Sequence, residues 1–247
     1  MTSAESGERE IVAKKGHTGT LQGGPQVYSR LAAEYLDAVL KGDRQRAVEL
    51  VMNAVNEWAE IKDIYLKVFP SVQYEVGRLW QLNKISVAQE HYCTAVTQTI
   101  VSQLFPLVLQ KEKIGFSMLG CCVGKELHEL GIRIVCDFFE MEGWNTYFVG
   151  SGIPNKDIIR TSAEMGVDVI CISVTMTYNV PLAAGLIEEI RKSEKLSGVK
   201  VLVGGYPFIK QEGLWKRIKA DGFGADAEAA VAQAAQLLQG KQGEKSV

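Results

Sequence analysis

The chain has 247 residues, 47% of them hydrophobic, with a formal net charge of −2 and a pI near 6.0. This near-neutral balance excludes a general electrostatic attraction to nucleic acid or to an anionic membrane surface. No apolar run approaches the roughly 20 residues that a spanning helix requires.

The length favours two domains, each with enough apolar material for its own core. Residues 1–13 are too polar for a secretory signal. The cysteines are Cys93, Cys121, Cys122, Cys136 and Cys171. They are odd in number and lack C-x-x-C spacing, which reads as reduced, buried thiols in a cytoplasmic protein.

Residues 1–26, rich in Gly, Ser, Thr, Lys and Glu, read as a flexible arm in which His17 is an idle, solvated side chain. The arm is too short to hold a helix-turn-helix module, so direct DNA binding is not expected. Residues 27–111 read as four helices. The first carries Leu31, Tyr35, Ala38 and Val39 at helical spacing and stops at Gly42. The second follows Asp43 as N-cap. The third spans about 62–82, with Pro70 near a start or kink. The fourth runs from Ser86 to about Gln110, with Pro106 near its end. Short connections between four helices predict a bundle.

From 112 to 240 the period changes. IGFSMLGCC, WNTYFVG, VDVICISV and KVLVGG are short apolar runs separated by helical stretches, with a short fifth strand expected near Asp221–Gly224. Strands alternating with helices predict an α/β fold: a flavodoxin-like (Rossmann-type), doubly wound parallel sheet following the four-helix bundle. Residues 241–247 read as a polar tail.

Ligands of an open α/β sheet bind at the carboxyl ends of its strands. There the first strand runs into GCCVGKELHELGIRIV, which places His128 on the loop before a helix. Glu126 can accept the proton of one ring nitrogen and raise the basicity of the other toward a metal. Gly131 lets a large planar group approach the backbone. On these residues alone, an exposed loop histidine beside an incidental acid is the alternative. A closed four-ligand zinc site has too few neighbouring donors; a single axial imidazole suits a metal already held by a macrocycle. Ser173 and Thr175 follow the third strand, and Gly204 and Gly205 the fourth, leaving room for a slot between strands.

The segment E-L-H-E-L-G, comprising Glu126, Leu127, His128 and on to Gly131, is followed by Ser173-Val-Thr175 and then by Gly204-Gly205. It resembles the cobalamin-binding domain pattern D/E-x-H-x-x-G, S-x-L/T and GG, and the preceding bundle resembles that family's cap. The resemblance covers nearly all of residues 28–238. It implies base-off, His-on binding: the dimethylbenzimidazole tail passes Ser173, Thr175, Gly204 and Gly205, and His128 binds cobalt from below.

The cap raises a second resemblance. Ser86-x-x-Gln89 is a capping box that starts a new helix, so the chain turns back after about Leu82 and Trp80 can share a pocket with Glu90 and His91. W-x9-E-H resembles a signature of the CarH-type adenosylcobalamin photoreceptors. That resemblance implies Trp80 packed on the 5′-deoxyadenosyl group, with Glu90 and His91 on its polar atoms. Gln81 departs from the pattern: the photoreceptors carry there a histidine that takes cobalt after illumination, so water or His91 would have to fill the vacancy.

The expectation is therefore an adenosylcobalamin light or B12 sensor, not an enzyme. It would change conformation or association on Co–C photolysis and act in transcription regulation through a protein partner or as a dimer or tetramer. The alternative is a corrinoid protein carrying a methyl group for methyltransferases, with methylcobalamin as cofactor. A mutase subunit would need a substrate barrel from another chain.

Overall fold

The computed structural model describes residues 25–240. Most of the predicted arm, His17 with it, and the tail from 241 lie outside the described residues.

The cap opens with α1 (Pro25–Leu40) and α2 (Arg44–Glu57), joined by a turn in which Gly42 takes φ +77°. Asp43 caps α2 by accepting from the Arg46 N–H at 3.0 Å, as the residue type at that position demands. The third helix is not uniform. It consists of α3 (Ile61–Asp63), a π-turn over Ile64–Val68, and α4 (Phe69–Gln81). Pro70 has no N–H to give, and its ring would press on the carbonyl four residues back; the widened turn just before it absorbs both problems.

α4 stops by a local device. Asn83 sits at φ +54°, the Asn83 N–H donates to the Trp80 carbonyl, and the Lys84 N–H donates to the Leu79 carbonyl. This is a Schellman closure with asparagine in the left-handed position. α5 (Val87–Val108) then starts on the expected capping box, with Gln89 N–H donating to Ser86 Oγ at 3.2 Å and Ser86 N–H to Gln89 Oε1 at 3.0 Å.

The second layer is a five-stranded parallel sheet. Its strands are β1 (Ser117–Cys122), β2 (Asn145–Gly150), β3 (Val169–Ser173), β4 (Lys200–Gly204) and β5 (Gly222–Gly224). Their order is β2-β1-β3-β4-β5. The order reverses between β1 and β3, which makes the carboxyl ends of these two strands the switch point. Helices α6 (Leu130–Met141) and α11 (Ala227–Leu237) cover one face, burying Met118, Cys122, Val169, Cys171 and Leu202. Helices α7 (Asn155–Glu164) and α8 (Val180–Lys192), with the short α9 (Tyr206–Lys210) and α10 (Leu214–Arg217), cover the other.

Helix α6 serves both layers. Leu130, Ile134 and Phe138 of α6, spaced by four, belong to the bundle core with Tyr65, Phe69 and Ile100. Ile132, Cys136 and Phe139 of the same helix belong to the sheet core. The seam is also polar: Tyr65 donates to Asp137 Oδ2 at 2.9 Å, and the Arg133 guanidinium lies 5.5 Å from the ring centres of both Phe105 and Phe148. No helix among the described residues is long and apolar enough to cross a membrane.

Candidate functional site

The loop leaving β1 at the switch point carries Glu126 and His128. Glu126 is 3% exposed, an expensive place for a carboxylate unless its oxygens are saturated. They are. Oε1 meets His128 Nδ1, and Oε2 accepts from the main-chain N–H groups of Thr175 (3.2 Å) and Met176 (3.1 Å) and from Asn179 Nδ2 (3.0 Å). Burial alone would raise the Glu126 pKa, but the hydrogen bonds from His128, Asn179 and Met176 outweigh it and bring it down to about 2. The His128 pKa is raised, chiefly by the hydrogen bond to Glu126 against a desolvation penalty, with the charges of Glu126 and Glu90 adding to the rise.

The imidazole is thus held by one nitrogen. Its side chain remains 51% exposed, and the other nitrogen is left to meet a ligand. The loop is also held by its main chain, since Cys122 Sγ lies 3.8 Å from the His128 carbonyl oxygen. Among the described residues no group of three His, Cys, Asp or Glu side chains could hold a metal ion, so a metal bound here must bring most of its donors with it.

Beside the loop, the strand register aligns a row of small residues. Cys122 pairs with Ser173, Ser173 with Gly204, and Gly204 with Gly224, across β1, β3, β4 and β5 at their carboxyl ends. The row lies on the face covered by α6 and α11. Gly131 stands over it: a Cβ there would be 4.0 Å from Ser173 Oγ. At Gly224 a Cβ would fall 2.7 Å from the Ala230 Cβ, so α11 closes in where side chains are absent. Gly205 takes φ +105°, and a Cβ there would lie 2.0 Å from the Val174 carbonyl oxygen. A flat group carried on a thin chain fits such a row; bulkier strand ends would fill it.

The structure brings Glu126, His128, Gly131, Ser173, Gly204 and Gly205 together. Thr175 takes part through its main-chain N–H, where the sequence suggested slot lining. Leu127 points out of the protein, 73% exposed. Cys122, Asn179 and Gly224 were not among the expected residues. Their partners come from other strands and turns, and no local motif marks them.

Trp80, Glu90 and His91 stand at one end of the α4–α5 hairpin. Gln73 Nε2 reaches Thr97 Oγ1 at 2.8 Å. Two turns onward from Gln73 and two turns back from Thr97, the same two helix faces return at Trp80 and Glu90. Trp80 is 43% exposed. Glu90 is engaged locally, bonded to His91 Nδ1 and to Thr94 Oγ1 at 3.3 Å.

Residues 117–232 match the family model described as B12 binding domain, and residues 31–104 match a second model of the same description. Dimethylamine corrinoid protein 2 of Methanosarcina acetivorans is 27% identical over 217 residues, covering 85% of this chain and 97% of its own. Dimethylamine corrinoid protein 3 of that organism is 29% identical over 212 residues, covering 84% and 97%. In fold, the structure of the Methanosarcina barkeri monomethylamine corrinoid protein superposes with a TM-score of 0.75 at 18% identity, covering 85% of this chain and 99% of that one.

These relatives overturn the light-sensor expectation. The likeness to corrinoid proteins runs along the bundle and the sheet, whereas W-x9-E-H concerns three side chains on two helices at one end of the hairpin. Glu90 and His91 also satisfy each other within one turn of α5, so their presence there does not require a nucleoside.

Proposed function

We propose that this chain, with a B12-binding sheet under a helical cap, carries a methyl group on a corrinoid for partner methyltransferases. The observation that carries the reading is the collinear likeness to dimethylamine corrinoid proteins over 85% of the chain, cap included. The switch-point geometry fits such a group, with one free imidazole nitrogen beside a row of small residues. When bound, the corrinoid supplies a cobalt centre that accepts and releases methyl.

Every other part of the work falls to the chain. His128 would hold the metal through its other ring nitrogen, with Glu126 setting the tautomer and direction of its ring. Gly131, Ser173, Gly204 and Gly205, with Cys122 and Gly224, would receive the nucleotide tail. The cap would keep water from the opposite side, where Trp80 and Glu90 stand. Methylcobalamin is the expected working form and methyltransferases the expected partners, so the chain serves as carrier while the partners activate the methyl donor and acceptor.

The test is transfer of label. Chain loaded with cobalamin and reduced is mixed with mono-, di- or trimethylamine bearing a labelled methyl group, with and without each candidate methyltransferase of the source organism. Label should reach the protein-bound corrinoid only when one methyltransferase is present. Cobalamin that is not retained on gel filtration, or label that never arrives from any of the three amines, sinks the reading.

A further inference from the structure

The cap turns an acid toward the space it shares with the His128 loop. Glu90 continues, one turn earlier, the stripe Cys93, Thr97, Ile100 and Leu104 by which α5 is buried. Its side chain is 21% exposed, against 65% for the adjacent His91. It stands in the first turn of α5, where the helix dipole favours a negative charge. The His128 pKa, raised chiefly by the bond to Glu126, is raised further by the charge of Glu90. The two layers thus bring a carboxylate of the cap within electrostatic reach of the candidate metal ligand.

That carboxylate is poorly quenched, because its neighbours are short of hydrogens. Thr97 Oγ1 donates to the Cys93 carbonyl at 3.1 Å, lies 2.7 Å from the Tyr35 hydroxyl, and accepts from Gln73 Nε2 at 2.8 Å. With its single hydrogen committed to Cys93, Thr97 takes Gln73 by the NH₂ end, which turns Gln73 Oε1 toward Thr94. Thr94 has one hydrogen and two acceptors, Gln73 Oε1 at 3.0 Å and Glu90 Oε1 at 3.3 Å. The nearer acceptor takes it. Glu90 Oε1 is left without a donor of its own. Among the described residues no lysine or arginine pairs with Glu90; its ion-pair partner is His91, through Oε2.

We propose that Glu90 sets the charge balance of the site: it holds an unquenched carboxylate near the corrinoid and so favours every form of the cofactor more positive than Co(I), the oxidised and the methylated alike. This rests on the corrinoid-carrier reading. Loss of one electron and gain of one methyl cation each add one positive charge at the metal relative to Co(I). A fixed negative charge in a site with little water stabilises both. Glu90 therefore strengthens methyl acceptance and, by the same field, makes the reduced carrier easier to oxidise.

The test measures the Co(II)/Co(I) midpoint potential of the full chain loaded with cobalamin. The titrant is a low-potential titanium(III) reductant at about pH 8, above the titration of free imidazole. Wild type, Glu90→Gln and Glu90→Asp are compared, each after a thermal melt of the apo chain. The Gln variant keeps shape and loses charge, whereas the Asp variant keeps charge; Glu90→Ala is read if the Gln variant melts out. Glu90→Gln should favour Co(I) by about tenfold, a potential about 59 mV less negative for one electron. Glu90→Asp should stay nearer to wild type than to the Gln variant. Equal potentials in wild type and a folded uncharged variant, or equal shifts in the Gln and Asp variants, overturn the proposal. Two further results would instead sink the reading beneath it: wild-type chain that retains no cobalamin on gel filtration, or His128→Ala that still shows imidazole nitrogen on Co(II) by electron paramagnetic resonance.

Discussion

Two carboxylate–imidazole pairs occur among the described residues, and their surroundings give them different capacities. Glu126 is buried and takes three further donors, so its charge is permanent and His128 is directed by a rigid anchor. Glu90 lies on a helix near solvent, and its partner His91 has a side chain 65% exposed, so that pair has little beyond its own turn to hold it. Another buried acid, Asp137, makes a stability prediction. Burial raises the Asp137 pKa to about 6, against the hydrogen bond from Tyr65 and the charge of Arg133. Protonation therefore favours the folded chain. This contribution is full below the unfolded value near 3.8 and is lost as pH rises through about 6. In Asp137→Asn the loss across that window should vanish, a relative gain of about 3 kcal/mol at neutral pH before any change in the Tyr65 bond. Urea melts between pH 4 and 7 decide it: parallel pH slopes for both chains would contradict the assignment. Gly205→Ala should cost roughly 2 kcal/mol or more, since its backbone conformation and the nearby Val174 carbonyl both exclude a Cβ. A wild-type melting temperature in that variant would count against the turn as described.

At the scale of elements, the caps did most of the local work. Asp43, Ser86 and Gln89 announce their helices by residue type, and the structure uses each of them as the sequence suggests. Ser86→Ala should destabilise the chain by about 1 kcal/mol, measured as a lower urea midpoint with unchanged slope; no shift would mean the capping bonds contribute nothing net. The strands were legible because each is a short apolar run ending in small residues, and the switch point follows from their order. Other features were not legible. Pro70 signalled an irregularity, but periodicity could not tell a kink from a π-turn. Cys122 and Gly224 join the slot only through register across four strands, and Asn179 reaches Glu126 across 53 residues of sequence. The light-sensor expectation failed for the converse reason: it rested on one short pattern, whereas the likeness to corrinoid proteins runs along 85% of the chain.

For the whole molecule, α6 decides how the layers behave. Its Leu130, Ile134 and Phe138 lie in the bundle core while Ile132, Cys136 and Phe139 lie in the sheet core. Cap and sheet should therefore unfold in one transition. Trp58 packs with Tyr28 in the bundle and Trp144 with Phe139 in the sheet layer, so single-tryptophan variants retaining either one should report the same urea midpoint. Two separated midpoints would show the cores to be independent. Ile134→Ala should lower both by the same amount, a cost of roughly 2–4 kcal/mol. The sharing also has a consequence during synthesis. The cap helices are synthesised before residues 130–138, so the nascent bundle carries an unfilled greasy furrow until that segment follows. Its completion waits for a segment belonging to the other half, and that interval is when a chaperone has most to hold.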